Sequence, residues 1–173
     1  MMTHRWLVPA LLALACLLPL HADAPAKGTL TATGDGIVTL RCAGTVTVTV
    51  KGAVWVAATA KVTTTGKAGT TKAETRDKVA GSTYAGYDSL TVTAEQPAAL
   101  TVTGTAITLT ATGAGLATCV GTGKYTLVEA DQEGKEAGHW SAAPKKGEKP
   151  HILQLKYGNL RAAEADEDLE LGD

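Results

Sequence analysis

Threonine alternating with small apolar residues is the feature that most constrains this chain. Between Gly28 and Val128 it reads Thr-Leu-Thr-Ala-Thr, Thr-Val-Thr-Val-Thr-Val, Leu-Thr-Val-Thr and Ile-Thr-Leu-Thr-Ala-Thr, punctuated by glycine. Strict alternation is the signature of half-buried strands, and β-branched residues suit a pleated surface. Counting in twos gathers the apolar positions onto single faces. Val38, Leu40, Cys42, Val46, Val48 and Val50 form one, and Ala117, Cys119, Gly121, Tyr125 and Leu127 another. Val54, Val56, Ala58, Ala60 and Val62 form a third, with Trp55 on the opposite side. Leu90 to Ala94, Leu100 with Val102, and Ile107 to Ala111 complete the set. No window before residue 129 holds a helical period beyond two turns, so the expected fold is all-β and single-domain.

An internal repeat runs through it. Ala32 to Leu40 aligns with Ala111 to Cys119, and the match continues without a gap to Val48 and Leu127. Both Cys42 and Cys119 then point toward the core. In an oxidising compartment they are expected either to bond, closing a loop of 77 residues (119 minus 42), or to remain two buried thiols. A bond would stabilise by up to about 4.5 kcal/mol in the chain-entropy picture. A metal pair is disfavoured, since no CxxC spacing occurs and no histidine lies near either cysteine.

The first residues set the expected compartment. Met1 to Arg5 carries one fixed positive charge, Trp6 to Leu20 is apolar, and Ala22, Ala24 and Ala26 follow. This is the layout of a secretory signal peptide over 1–26, with cleavage before Lys27. Fifteen apolar residues reach about 22 Å as a helix, short of the ~30 Å hydrocarbon core. A competing reading cleaves after Ala15 and acylates Cys16. The mature protein is expected outside the cytoplasm: periplasmic, cell-surface or extracellular. A net charge of −1 offers no field for nucleic acid.

The aliphatic inward residues favour a narrow core. The body resembles the threonine-, valine- and glycine-rich right-handed β-helical segments of bacterial exported and surface proteins, over residues 28–128. That resemblance implies a β-solenoid in which each coil packs on its neighbours. An antiparallel β-sandwich is the alternative, although a core about 10 Å thick usually recruits more aromatic residues than Trp55 and Tyr125.

Two stretches escape the pattern. Gly66 to Asp88 is polar and charged and reads as a solvated loop carrying Tyr84 and Tyr87. Glu129 to Asp173 reads as a charged, partly disordered tail. Within it His139-Trp140 and Pro150 to Leu153 are expected to dock on the body, and Leu160 to Leu171 to form a short acidic helix.

Chemistry-bearing constellations are missing from the sequence: no GxSxG, HExxH, P-loop or GxGxxG opening a helix. Neither a catalytic site, a cofactor nor a metal is expected, and the chain reads as non-enzymatic. Three functions remain open. One is a structural or adhesive protein that self-associates or meets cell-envelope components. Another is a carbohydrate- or protein-binding module using Trp55, Tyr84, Tyr87 and Trp140. The third rests on Thr-x-Thr at Thr29/Thr31, Thr45/Thr47/Thr49, Thr91/Thr93, Thr101/Thr103 and Thr108/Thr110. Stacked on one face, such rows resemble the threonine ladders of antifreeze β-solenoids. The uneven repeat lengths argue against register, and threonine is also an ordinary outward strand residue.

Overall fold

The computed structural model describes residues 27–129, 135–141 and 152–158. The leader read over 1–26 and the helix read over 160–171 lie outside them. Among the described residues seven strands make an all-antiparallel sheet: β1 Gly28–Ala57, β2 Lys61–Thr65, β3 Thr70–Arg76, β4 Val79–Ala85, β5 Ser89–Glu129, β6 Lys135–Ser141 and β7 Leu153–Tyr157. No helix occurs among the described residues.

β1 and β5 hold 30 and 41 residues, several times the usual strand length. Their registers explain how. One ladder runs unbroken from Gly28↔Glu129 to Thr49↔Thr108, and resumes from Lys51↔Thr105 to Val56↔Leu100. The same strands pair a second time in a displaced register, as in Gly28↔Gly113, Gly36↔Gly104 and Gly44↔Ala94. The two strands are thus hydrogen-bonded to each other in two registers.

Following the pairings outward sorts the segments into two ranks. The first runs β2, 89–94, 44–49, 107–113, 28–34, 123–129, β6. The second runs β3, β4, 53–57, 98–104, 36–43, 114–121, β7. The chain passes from one rank to the other at glycines, which in β1 recur every eight residues at 28, 36, 44 and 52. Gly36, Gly44 and Gly52 lie opposite Gly121, Gly113 and Gly104. Gly44 has φ +129° and Gly113 φ +139°, a region that side chains avoid, and a Cβ on Gly44 would collide with the Thr112 carbonyl oxygen. Bending there without losing ladder hydrogen bonds is what makes the strands so long.

The glycines of β5 that face those of β1 at the corners are spaced nine and then eight, at 104, 113 and 121. The extra residue is a bulge at Thr105-Ala106, where the register slips by one. Ala106 takes φ 50°, and its N–H donates to Asp35 Oδ1 at 2.7 Å across 71 residues of sequence. The slip switches the parity of the inward face, from Leu100 and Val102 to Ile107, Leu109 and Ala111.

Inward residues of both ranks form one core. Leu30, Val46, Val48 and Leu109 from the first meet Val38, Leu40, Leu100 and Val102 from the second, all nearly inaccessible. The alternation read from sequence therefore holds, except that β1 ends at Ala57: Ala58 is exposed and the chain turns there. Two larger residues also enter the core from the stretch read as tail. Trp140 on β6 lies over Gly123 and Gly34, and Tyr157 on β7 lies over Gly115. The missing side chains of these glycines make the room, a cross-strand pairing of ring and glycine. Leu153 opens β7 and packs against the core, whereas Ile152, also expected to dock, is exposed; Pro150 and His151 fall outside the described residues.

The stretch 66–88, expected as a solvated loop, is largely the hairpin β3–β4. Its turn is Asp77-Lys78, both at positive φ (46° and 66°), the mirror-image type that matches strand twist. No glycine marks it, so composition disguised it.

Four substitutions test these devices by urea unfolding. Gly44→Ala should destabilise by about 3 kcal/mol, from strain and collision together. Asp35→Ala should cost about 1–2 kcal/mol by orphaning the Ala106 N–H. Ala106→Gly and Lys78→Gly should each stabilise by about 1 kcal/mol, because glycine adopts these angles without the side-chain penalty.

Candidate threonine face

The four aromatic residues singled out from sequence do not share a surface. Trp55 points away from the core yet is only 4 % exposed, lying against Gly81 with the Arg76 guanidinium 5.6 Å from its ring centroid. Trp140 is buried on β6, at the far edge of the first rank. Tyr84 lies across from Val54 and, with Tyr87, packs against the core, their ring centroids 6.2 Å apart. The Tyr87 hydroxyl is engaged with Thr71 Oγ1 at 2.9 Å. What stays open is the edge of a half-buried tyrosine pair, well separated from Trp140 in strand order.

The cysteines both face the core, as their parity requires, and both are free. The bond considered from sequence does not form. Cys42 sits opposite Gly115 and Cys119 opposite Val38, so the two lie on adjacent segments but four residues apart along the ladder. That offset is about 13 Å at strand rise, against a Cα separation of roughly 7 Å at most for a disulfide. Burial pushes the Cys119 thiol up from 9.0 to about 11. Cys42 is also raised by burial, partly opposed by its hydrogen bond with the Tyr157 hydroxyl. Among the described residues no cluster of three or more His, Cys, Asp and Glu could hold a metal ion.

The organised feature of the surface is one that sequence reading set aside. On the outer side of the first rank, threonines stand directly opposite threonines from strand to strand. The longest row is Thr63, Thr91, Thr47, Thr110, Thr31 and Thr126. Beside it run Thr93, Thr45, Thr112 and Thr29, and on the other side Thr49, Thr108 and Thr33. All thirteen are exposed or half-buried. Neighbours along a row are about 4.8 Å apart and rows about 6.7 Å apart, from strand spacing and a two-residue rise. Among the described residues none of the thirteen takes part in a side-chain hydrogen bond.

The outer side of the second rank differs. There Thr39 lies between Thr101 and Thr118, but the adjoining positions carry Arg41, Ile37, Leu116 and Lys156. Ile37 and Leu116 are 41 % and 42 % exposed. An outward threonine preference common to all strands would have dressed both sides alike. Concentration on one side instead gives that side a block of methyls and hydroxyls, ended by Lys61 opposite Thr93, Val128 opposite Thr29 and Lys124 opposite Thr33. β-branching restricts χ1, so each pair of groups is held nearly in place beforehand.

No long apolar helix suited to crossing a membrane occurs among the described residues. Compared with protein-family models, curated proteins and solved structures, the chain matches none of them.

Two thiols buried this way should resist alkylation in the folded protein and both react after unfolding, with an intact mass showing no bond. Their folded pKa lies above the unfolded one, so the stability they supply is complete below about pH 8.5. It should fade as pH rises toward 11, measurable as a falling urea midpoint that Cys119→Ala flattens.

Proposed function

We propose that this is an exported, non-enzymatic β protein of structural or adhesive type, and that the threonine face is its working surface. Its body is best described as a two-stranded antiparallel ribbon wound into a β-helix. The ribbon's pairing with its own next turn, near residue 113 for Gly28 and residue 94 for Gly44, supports that over a sandwich of separate strands. The observation carrying the functional reading is the register of the three threonine rows across as many as six segments of β1, β2 and β5.

A face of this kind suits an extended and regular target. Each threonine offers one methyl and one hydroxyl, a weak contact by itself. Thirteen at repeating distances, already fixed in rotamer, give many contacts at little ordering cost. Within the threonine stretches no charge intervenes, and Lys61 and Lys124 stand only at row ends, so the complementary target is a largely uncharged solid.

Retention of the secreted protein on neutral crystalline solids and on cell envelopes tests this. Thr110→Lys, at the centre of the longest row, should lose most of the retention. Thr103→Lys, exposed on the other rank, should keep it. Equal behaviour of the two variants would refute the assignment of the face.

A further inference from the structure

We infer that a second copy of this chain docks on the free edge of β3, strand against strand, about a two-fold axis at Ala73. Nothing in this depends on the threonine face. Among the described residues β2 pairs only with β5 and β3 only with β4, so both ranks end in open edges at the same end. The core is uncovered there too. Thr64, opposite Leu90, and Ala73, opposite Ser82 in line with Val56, take the inward side and are nevertheless exposed. An open edge of this kind is a template for another strand.

The ladder fixes which groups that edge offers. The Ala58 N–H donates to the Ala80 carbonyl at 2.8 Å, so Ala80 directs its carbonyl away from β3. Thr75, opposite Ala80, therefore belongs to a non-hydrogen-bonded pair. Antiparallel alternation then turns the N–H and C=O of Thr71, Ala73 and Thr75 toward the free edge. Ala73 is the middle residue of β3. A two-fold centred on it pairs the strand along its whole length, and Ala73 exchanges both backbone hydrogen bonds with the partner's Ala73.

Charge selects that register. Lys72, Glu74 and Arg76 share the outer side of β3. With the axis at Ala73, each Lys72 stands opposite the partner's Glu74, and Thr70 opposite the partner's Arg76. An axis at Glu74 sets two carboxylates face to face and Lys72 against the partner's Arg76. An axis at Lys72 sets two ammonium groups face to face. Axes at Thr71 or Thr75 match only 70–72 or 74–76 with themselves. Like charges directly opposed weaken a strand pair, and opposite charges support it. The acceptor is ready as well. Glu74 takes its bonds from Thr83 at 2.7 Å and Arg76 at 2.6 Å through Oε1 alone. Among the described residues no hydrogen bond or salt bridge uses its Oε2 or the Lys72 ammonium.

Sedimentation over a wide range of concentration tests this on the purified protein, with circular dichroism and the urea midpoint as checks on folding. The unaltered protein should form a dimer. Ala73→Pro removes an N–H that β4 does not use, at an edge where proline is tolerated, and should give a folded monomer. Lys72→Glu opposes like charges twice and should weaken the dimer roughly tenfold or more. Glu74→Lys does the same with the sign reversed, and an equal mixture of these two variants should dimerise again. A monomer at every concentration, or a dimer that Ala73→Pro leaves intact, overturns the proposal. So does a folded pair of charge variants that fails to associate on mixing. Should Ala73→Pro or Glu74→Lys not fold, Lys72→Glu decides: a dimer of undiminished strength refutes the register and the site with it.

Discussion

Glycine opposite glycine, at the points where the ribbon bends, is the constraint on which the rest of this protein depends. An antiparallel ladder normally ends where its strands must change direction. Here Gly44 and Gly113 turn together, each in a backbone region closed to side chains and each leaving clear the carbonyl just before its partner, Thr112 for Gly44 and Ala43 for Gly113. The ladder continues around the corner, so the pairing of β1 with β5 is the longest in the sheet, with β2, β3, β4, β6 and β7 adding shorter ladders. Because the bends recur every eight residues in β1, an even number, parity survives each corner and the same side of the ribbon faces inward in both ranks.

A narrow interior follows from this geometry. Val, Leu, Ile and Ala fill most of it, and the few large rings enter only where a cross-strand glycine vacates the space, as Trp140 does over Gly34 and Gly123. The buried cysteines belong to the same economy of volume. They are small, apolar in their protonated form, and kept protonated by the absence of water. Among the described residues no polar or charged residue is buried.

The surface divides into two unlike sides. On one, alternation, corner spacing and the bulge combine to bring threonines of five segments and β2 into common rows. On the other, Arg41, Ile37 and Leu116 break the pattern. A single insertion in β5, set by a carboxylate 71 residues away, keeps the two sides distinct. The link from one backbone hydrogen bond to the chemistry of a whole face is short, since side-chain direction in a strand is decided by parity alone.

Much of this was legible in the residues. Alternation located the inward faces of Val38 to Val48 and Ile107 to Ala111, and it oriented both cysteines correctly, because parity is a local property of an extended chain. The eight-residue glycine period at 28, 36, 44 and 52 was also in plain view and would have pointed to the corners. Other features had no local sign. The hairpin at 70–85 turns on Asp77-Lys78 without glycine, and the cysteines miss each other by a displacement along the ladder that only strand pairing sets. Entry of Trp140 and Tyr157 into the core depends on glycines more than fifteen residues distant. Thr-x-Thr segments could be seen one by one, but their alignment needed the pairing of segments up to 95 residues apart, such as Thr31 and Thr126. Spacing along the chain thus determined which side each residue takes, through the two-residue period of a strand. Which residues become neighbours was decided by the tertiary fold, because register between distant segments is a property of the closed ladder and of no segment alone.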